Sequence, residues 1–347
     1  MRLEVAPREL EVVARGLDVP WSMDFTPDGR LVFTERSGKV KLLDGEASTA
    51  LSIEVKAKKG DEGGLLGLAV PPDFASNHLY LYYTYGARGV ILNRVSRFTM
   101  TPNGLEDEDV ILDRIPGGRV HNGGRIKFGP DGKLYITTGE TWNRMIAQDL
   151  GSLGGKVLRL NPDGSVPDDN PFEGSPIYSY GNRNPQGLAW HPLTGELFSS
   201  EHGPSGENGW YAHDEINIIR PGANYGWPNV IGVSHRPGYV DPLISTGDET
   251  WAPSGICFYT GDRYEGYRNT LFVACLRGEQ LRAIRLNPPT YESVESSSAL
   301  FEGSLGRIRD VAQGPDGYLY LCTSNRDGRG NPVQGDDVIV RALELPG

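Results

Sequence analysis

One turn-and-strand phrase recurs along the chain and constrains its fold more than any other feature. Its three clearest copies begin at Phe25, Phe128 and Gln313, and each places Pro-Asp-Gly directly before a β-rich segment. Proline presets φ for a tight turn, aspartate can bond its own backbone two residues on, and glycine supplies a positive φ. Each copy therefore predicts a corner between two antiparallel strands.

Three weaker copies of the phrase fill the intervals between the clear ones. They are Val70-Pro-Pro-Asp-Phe74, Trp190-His-Pro-Leu-Thr-Gly195 and Phe258-Tyr-Thr-Gly-Asp262. Equivalent turn positions lie 45, 58, 63, 68 and 54 residues apart. An interval of this size holds a four-stranded sheet with its loops, which is the repeat unit of a propeller. The sequence predicts a single all-β domain over residues 1–347, a six-bladed β-propeller with four-stranded antiparallel blades.

Charge and apolar patterning limit the classes of partner. A net charge of −11 argues against a nucleic-acid surface, because a phosphate-binding face needs a clustered excess of Lys and Arg. No apolar run approaches the roughly 18 to 20 residues needed to span a bilayer, and no secretory signal is visible at the start of the sequence. Cys257, Cys275 and Cys322 lie in apolar strand patterns, which predicts buried thiols, with a Cys257–Cys275 disulfide as a minor alternative.

His121 has the clearest catalytic setting of the six histidines. It opens His121-Asn-Gly-Gly-Arg125, where paired glycines allow close approach of a ligand and the following strand fixes the imidazole. A neutral imidazole is the usual general base, and Glu140, at the far end of the following strand, could orient it. A histidine beside the paired glycines alone, without Glu140, would leave a structural role slightly ahead as the explanation.

Arginines in glycine-rich settings indicate an anion site. The alternation in Arg307-Ile-Arg309 places two guanidinium groups on one face of a strand, and two like charges there favour an anion between them. Surface salt bridges are the ordinary explanation for any single arginine. Carboxylates and loop carbonyls in Glu201-His-Gly-Pro204 and Asp214-Glu-Ile-Asn217 suit Ca²⁺, although their spacing matches no EF-hand.

Seven motifs occur in a fixed order from about residue 15 to the C terminus. They are Glu62-Gly-Gly-Leu-Leu-Gly67 with Pro72-Asp-Phe74, His121-Asn-Gly-Gly-Arg125, Gly181-Asn-Arg-Asn-Pro-Gln-Gly187, Glu201-His-Gly-Pro204, Asp214-Glu-Ile-Asn217, Asn224-Tyr-Gly-Trp-Pro228 and Arg307-Ile-Arg-Asp-Val311. Together they resemble the soluble quinoprotein glucose/sorbosone dehydrogenase family, and most closely its aldose sugar dehydrogenases that use pyrroloquinoline quinone (PQQ). The resemblance implies a six-bladed propeller with PQQ and Ca²⁺ at one mouth of the central channel.

The resemblance also implies a role for each matching residue. His121, oriented by Glu140, would take the proton from the anomeric hydroxyl of an aldose, while the C1 hydride passes to C5 of PQQ and leaves a lactone. Arg183 would stabilise the charge that develops at the reactive carbonyl. The remaining cofactor-binding residues implied are Glu62, Asn184, His235, Arg277, Arg307 and Arg309. The calcium ligands implied are the main-chain carbonyls of Gly203 and Pro204 beside PQQ, and Glu215 and Tyr225 at a nearby site.

Several residues depart from the family pattern. Glu62 stands where relatives commonly carry Gln, and a carboxylate beside a tricarboxylate cofactor requires a proton, a cation or a shifted pose. Arg277 replaces the usual Lys, which keeps the charge but changes its geometry. Val120 replaces an Asp that precedes the base in some relatives. His235 lies where an aromatic ring flanks the cofactor.

Three functions follow from these observations as hypotheses. The leading one is a PQQ- and Ca²⁺-dependent aldose dehydrogenase, periplasmic or secreted by resemblance, with an unknown electron acceptor and acting as a monomer or homodimer. A metal-dependent sugar lactonase would instead need acidic metal ligands at the central channel. The third is a non-catalytic propeller that binds a partner, and the base and the arginine set speak against it. Fold alone could not separate them.

Overall fold

The structure is a computed structural model and describes residues 9–44, 47–52, 62–73, 77–102 and 104–346. Within these ranges the regular secondary structure is almost entirely β-strand, with two short 3₁₀ helices at Arg144–Ala147 and Glu207–Gly209. None of the helices in the described part of the chain has the length or apolar character that a bilayer-spanning helix needs.

The described strands form six antiparallel sheets of four strands each, and each sheet is one blade. Blade 1 contains β2 (Pro20–Phe25), β3 (Leu31–Glu35), β4 (Lys39–Asp44) and β5 (Ala47–Ser52); blade 2 contains β6 (Leu65–Ala69), β7 (His78–Ala87), β8 (Val90–Thr101) and β9 (Gly104–Pro116); blade 3 contains β10 (Ile126–Phe128), β11 (Leu134–Thr138), β12 (Lys156–Leu160) and β13 (Ile177–Tyr180). Blade 4 contains β14 (Pro185–Trp190), β15 (Leu197–Glu201), β16 (Glu215–Ile219) and β17 (Ile244–Ser245); blade 5 contains β18 (Pro253–Phe258), β19 (Leu271–Cys275), β20 (Gln280–Leu286) and β21 (Val294–Leu300); blade 6 contains β22 (Ile308–Gln313), β23 (Leu319–Thr323), β24 (Ile339–Ala342) and β1 (Leu10–Ala14). The predicted six-bladed propeller is confirmed.

The first and last of the described strands meet in blade 6. Strand β1 pairs antiparallel with β24, with Leu10 opposite Ala342 and Val12 opposite Val340. The first described strand therefore completes the sheet that the last three described strands begin, which closes the ring of blades. Apolar side chains from neighbouring blades pack against each other, as Phe272 of blade 5 does in one cluster with Val311 and Leu321 of blade 6.

All six copies of the turn phrase occupy the same connection, between the first and second strand of a blade. In the three clear copies the glycine has a positive φ, at Gly29 (90°), Gly132 (71°) and Gly317 (82°). Its N–H donates to the carbonyl three residues earlier, over 2.8, 2.9 and 3.0 Å respectively. The phrase thus marks one end of the propeller, although Phe74 of the weaker copy in blade 2 lies outside the described residues.

The first strand of each blade borders the central channel, and Arg125 crosses it. This buried guanidinium donates to Gln186 O over 2.8 Å, to Ser22 Oγ over 2.9 Å and to Asp310 Oδ2 over 3.0 Å. It also lies over the ring of Trp21, 4.5 Å from its centroid. One side chain therefore connects blades 1, 3, 4 and 6. The three cysteines are buried and free, so the minor disulfide alternative is not formed.

Candidate functional site

A cavity of about 1080 Å³ opens at the mouth of the channel opposite the turn phrases. It lies where the first strands of the blades begin, so that Trp21, Leu66 and Gln186 form its floor and loops from several blades form its walls. The first strands continue beyond it into the channel that Arg125 crosses. A cavity of this size accommodates a drug-sized organic molecule.

His121 and Glu140 meet at the edge of this cavity. The Nδ1 atom of His121 contacts Glu140 Oε1, and the imidazole lines the cavity. Glu140 is buried, and its other oxygen, Oε2, has no hydrogen-bond partner among the described residues. Glycine allows this approach, because a Cβ at Gly139 would lie 1.9 Å from His121 O. The predicted pairing of the two side chains is therefore present in the structure.

Glu62 holds the backbone of the same histidine. The N–H of His121 donates to Glu62 Oε2 over 2.8 Å, and Glu62 Oε1 forms an ion pair with Arg329. Burial raises the pKa of Glu62, but the charge of Arg329 and the hydrogen bond from His121 N–H outweigh it, and the pKa lies below its ordinary value. The sequence left three ways to accommodate this carboxylate beside an anionic cofactor, namely a proton, a cation or a shifted pose. The structure shows a cation, because Arg329 neutralises Glu62.

Arg307 and Arg309 share one carboxylate. Arg307 donates to Asp327 Oδ2 from Nε over 3.0 Å and from Nη2 over 2.9 Å, whereas Arg309 Nη2 lies 3.6 Å from the same oxygen. Arg309 Nη1 donates to Gln186 Oε1 over 2.8 Å, and its Nε is buried with no partner among the described residues. Burial lowers the pKa of Arg309 to about 10.

Four arginines line one side of the cavity, and we call them the arginine wall. They are Arg36, Arg307, Arg309 and Arg329. Within the wall the carboxylates are those of Glu62 and Asp327, so positive charge exceeds negative charge. An excess of positive charge along this wall, in a protein of net charge −11, favours an anionic ligand at this position.

Arg183 reaches the cavity from blade 4. It forms an ion pair with Glu207, donates to His202 O over 3.1 Å and lies 5.5 Å from the ring centroid of Trp227. Asn184 is not among the residues that line the cavity. Its Oδ1 accepts the N–H of Gly123 over 3.0 Å, which ties blade 4 to the segment that carries His121.

Gly203 and Pro204 line the cavity, whereas the other two predicted calcium ligands do not. Glu215 is the cross-strand neighbour of Glu201 between β16 and β15. Burial, together with the Glu201 charge, raises the pKa of Glu215 to about 8. The Tyr225 hydroxyl donates to Ile218 O over 2.6 Å and accepts the N–H of Arg220 over 2.9 Å. In the described ranges, no three His, Cys, Asp or Glu side chains converge as a metal site.

Arg277 and His235 differ in position. Arg277 lines the cavity with an exposed side chain. His235 does not line it: its side chain is 84% exposed, and its Nδ1 lies 2.7 Å from Asp241 Oδ2. The structure therefore does not bring His235 to the other predicted residues.

The sequence patterns missed several residues that the structure places in the cavity. Asp327 and Arg329 follow β23, and nothing in their local sequence shows which carboxylate or arginine they meet. His202 also lines the cavity, and its Nε2 is buried with no partner in the described part of the chain. Burial, with the charges of Arg309 and Arg183, holds the pKa of His202 well below its ordinary value, so the imidazole is neutral.

Comparison with known proteins gives consistent matches. A family model described as Glucose / Sorbosone dehydrogenase matches residues 17–339. Aldose sugar dehydrogenase YliI from Escherichia coli is 34% identical over 92% of this chain and 91% of that protein. Quinoprotein glucose dehydrogenase B from Acinetobacter calcoaceticus is 30% identical over 97% of this chain and 89% of that protein. The PQQ-bound form of aldose sugar dehydrogenase from Streptomyces coelicolor has a TM-score of 0.85 and 39% identity, over 97% of this chain and 99% of that chain. The chain therefore belongs to the glucose/sorbosone dehydrogenase family.

Proposed function

We propose that the protein is a PQQ- and Ca²⁺-dependent aldose dehydrogenase that oxidises the sugar at C1 to a lactone and acts outside the cytoplasm. The observation that carries the proposal is the pairing of His121 with Glu140 at a cavity that the arginine wall also lines. A base and an anion site thus face the same space. Relatives named as aldose and quinoprotein glucose dehydrogenases support the same activity.

The cavity fits PQQ by size and by charge. PQQ is a flat tricarboxylate, and the cavity of about 1080 Å³ combines a positively charged wall with the buried, unpartnered Nε of Arg309. Arg307, Arg309 and Arg277 would hold its carboxylates, with Arg183 at the other side of the cavity. When bound, PQQ supplies the acceptor for the hydride from the sugar C1.

Calcium is proposed to be held by loop carbonyls beside this cavity. Gly203 and Pro204 line it and would provide main-chain oxygens, which suit a hard cation. Ca²⁺ would supply Lewis-acid polarisation there. Glu215 and Tyr225 remain proposed ligands of a nearby second site. The Tyr225 hydroxyl already makes two hydrogen bonds, so its carbonyl is the oxygen that this proposal assigns.

His121 is the proposed general base. With Nδ1 hydrogen-bonded to the Glu140 carboxylate, the imidazole carries its proton on Nδ1 and leaves the Nε2 lone pair to accept the proton of the anomeric hydroxyl. The buried Glu140 carboxylate then stabilises the imidazolium that forms. Glu62 fixes the His121 backbone, and the positive charge of Arg183 favours negative charge that develops in the cavity.

The two alternative functions are less well supported by this geometry. A metal-dependent lactonase needs acidic side chains that converge on one point, and the described residues contain no such cluster. Arginines outnumber carboxylates among the residues that line the cavity. A non-catalytic binding propeller gives no reason for a carboxylate buried against His121.

The proposal is tested by titrating the protein with PQQ and CaCl₂ and then adding aldoses with an artificial dye as electron acceptor. Dye reduction that needs PQQ, Ca²⁺ and sugar together is the expected result. His121→Ala should keep PQQ affinity and lower kcat by roughly 10²- to 10⁴-fold, as loss of a general base does. His78→Ala, at the start of β7 and outside the cavity, is the matched control. Absence of PQQ binding would refute the proposal.

A further inference from the structure

Trp142 is an exposed aromatic side chain beside the proposed base. Its side chain lines the cavity and is 62% exposed, although tryptophan is highly buried on average in folded proteins. Its ring centroid lies 5.2 Å from that of His121, with 41° between the ring planes. A large apolar surface is thus kept in contact with solvent at the reacting end of the cavity.

The backbone holds this indole in an unusual conformation. Asn143 N donates to Glu140 O over 2.8 Å, which closes a turn whose central residues, Thr141 and Trp142, have φ values of 53° and 71°. Two positive φ values define a type I′ turn, for which Asn-Gly is the favoured pair. Residues with larger side chains persist at such positions when the surrounding structure enforces them, and they cluster at active sites and ligand clamps.

Two further hydrogen bonds fix the turn relative to the proposed base. Thr141 N donates to His121 O over 3.2 Å, and Glu140 N donates to Arg183 O over 2.9 Å. These bonds attach the turn that carries Trp142 directly to the backbone of His121. The distance and orientation of the indole relative to the imidazole are therefore fixed.

We propose that Trp142 is the platform on which an aldose in its pyranose form packs one C–H face while its anomeric hydroxyl meets His121. A pyranose carries its hydroxyls around the rim and exposes apolar C–H groups on its faces, so burying one face against an indole removes apolar surface of both partners from water. The proposal rests on the proposed dehydrogenase function and adds a specificity-determining residue to it. Trp142 accordingly selects ring-form sugars over open-chain polyols.

The test compares Trp142→Ala and Trp142→Phe with the wild-type enzyme loaded with PQQ and Ca²⁺. Trp142→Ala should raise KM for aldopyranoses by roughly 10- to 100-fold and change kcat by less than about threefold, since stacking binds the sugar without taking part in proton transfer. The KM of Trp142→Phe should lie between those of wild type and Trp142→Ala. Ki of methyl β-glucoside, which has no free anomeric hydroxyl to oxidise, should rise in parallel with KM.

Met145→Ala is the matched control, because Met145 lies three residues further along, is 63% exposed and does not line the cavity. Its KM should equal that of wild type. A fall in kcat with unchanged KM in Trp142→Ala would assign the indole to positioning of His121 and overturn the platform. Unchanged KM and Ki would overturn it as well.

If the proposed dehydrogenase function is wrong, the wild-type protein will show no sugar-dependent dye reduction. This outcome differs from every outcome that tests the Trp142 platform. In that case saturation-transfer NMR with methyl β-glucoside still tests the platform directly. Transfer to the sugar ring protons in wild type that is lost in Trp142→Ala supports it. Equal transfer, or none in either protein, overturns it.

Discussion

Replacement of Arg309 by methionine should weaken PQQ binding and, at the same time, stabilise the protein without PQQ. The guanidinium is buried and makes one hydrogen bond of good length, to Gln186 Oε1 at 2.8 Å. The carboxylate of Asp327 lies 3.6 Å away and is also bonded to Arg307. A buried charge with this little compensation costs free energy unless a ligand supplies the missing partner.

The pKa of Arg309 gives the size of this cost. Burial lowers that pKa to about 10, and a fall of this size corresponds to about 3 kcal/mol of penalty on the charged form. Methionine removes the penalty but forfeits the hydrogen bond to Gln186, worth about 1 kcal/mol. The variant should therefore be more stable by roughly 2 kcal/mol, which in a protein of this length raises Tm by about 3 °C.

The effect on the cofactor has the opposite sign. Removal of one partner of a buried, charge-assisted contact costs about 2 to 5 kcal/mol of binding free energy, so Kd for PQQ should rise by at least about 30-fold. Tryptophan fluorescence titration with PQQ in CaCl₂ measures Kd, and thermal unfolding without PQQ measures Tm. Arg285→Met, which removes an exposed charge on β20, controls for net charge. A Kd within twofold of wild type, or a lower Tm, would refute the reasoning.

Three further predictions follow from the site and the channel. Glu140→Gln should lower kcat by roughly 10²- to 10⁴-fold with PQQ affinity unchanged, because the neutral amide can donate its N–H to Nδ1 and favour the other tautomer, and it has no charge to stabilise the imidazolium. Steady-state kinetics and a PQQ titration check both. Burial and the Glu201 charge raise the pKa of Glu215 to about 8, so the folded state keeps a proton that the unfolded chain has lost; stability in EDTA should fall as pH rises from about 5 to 8. CaCl₂ should oppose that fall, and a Glu215→Gln variant with the wild-type slope of Tm against pH would contradict the assignment. Arg125→Met should destabilise the fold by roughly 3 to 5 kcal/mol, since it leaves a buried carboxylate without its cation; denaturant unfolding measures the change.

The fold was predictable because its signal is local. Each Pro-Asp-Gly phrase specifies a turn from four adjacent residues, and six such phrases fall in the same connection of six blades. Closure of the ring could not be seen this way. The pairing of β1 with β24 joins residues more than 300 positions apart, and the sequence of neither strand indicates which strand it pairs with.

The site was predictable in part, for the same physical reason. His121 and Glu140 flank one short hairpin, so that spacing along the chain already placed them near each other. The ion pair of Glu62 with Arg329 joins blade 2 to blade 6 and depends on how the loops converge. Trp142 was missed because its exposure is a property of the folded turn. His235 belongs to a polar loop, and its local sequence does not indicate how far the loop lies from the cavity.

Arg125 and Arg309 show how this propeller separates stability from binding. Both are buried arginines at the beginning of a blade's first strand, and both lie over the ring of Trp21, at 4.5 and 5.7 Å. Arg125 has a carboxylate of its own at 3.0 Å, in Asp310, and hydrogen bonds to three other blades. The carboxylate nearest to Arg309 is that of Asp327, which lies 3.6 Å away and already accepts a hydrogen bond from Arg307. The same substitution should therefore destabilise the protein at one position and stabilise it at the other. Opposite signs in the two variants would support the proposal that the fold needs Arg125 and that Arg309 binds a ligand.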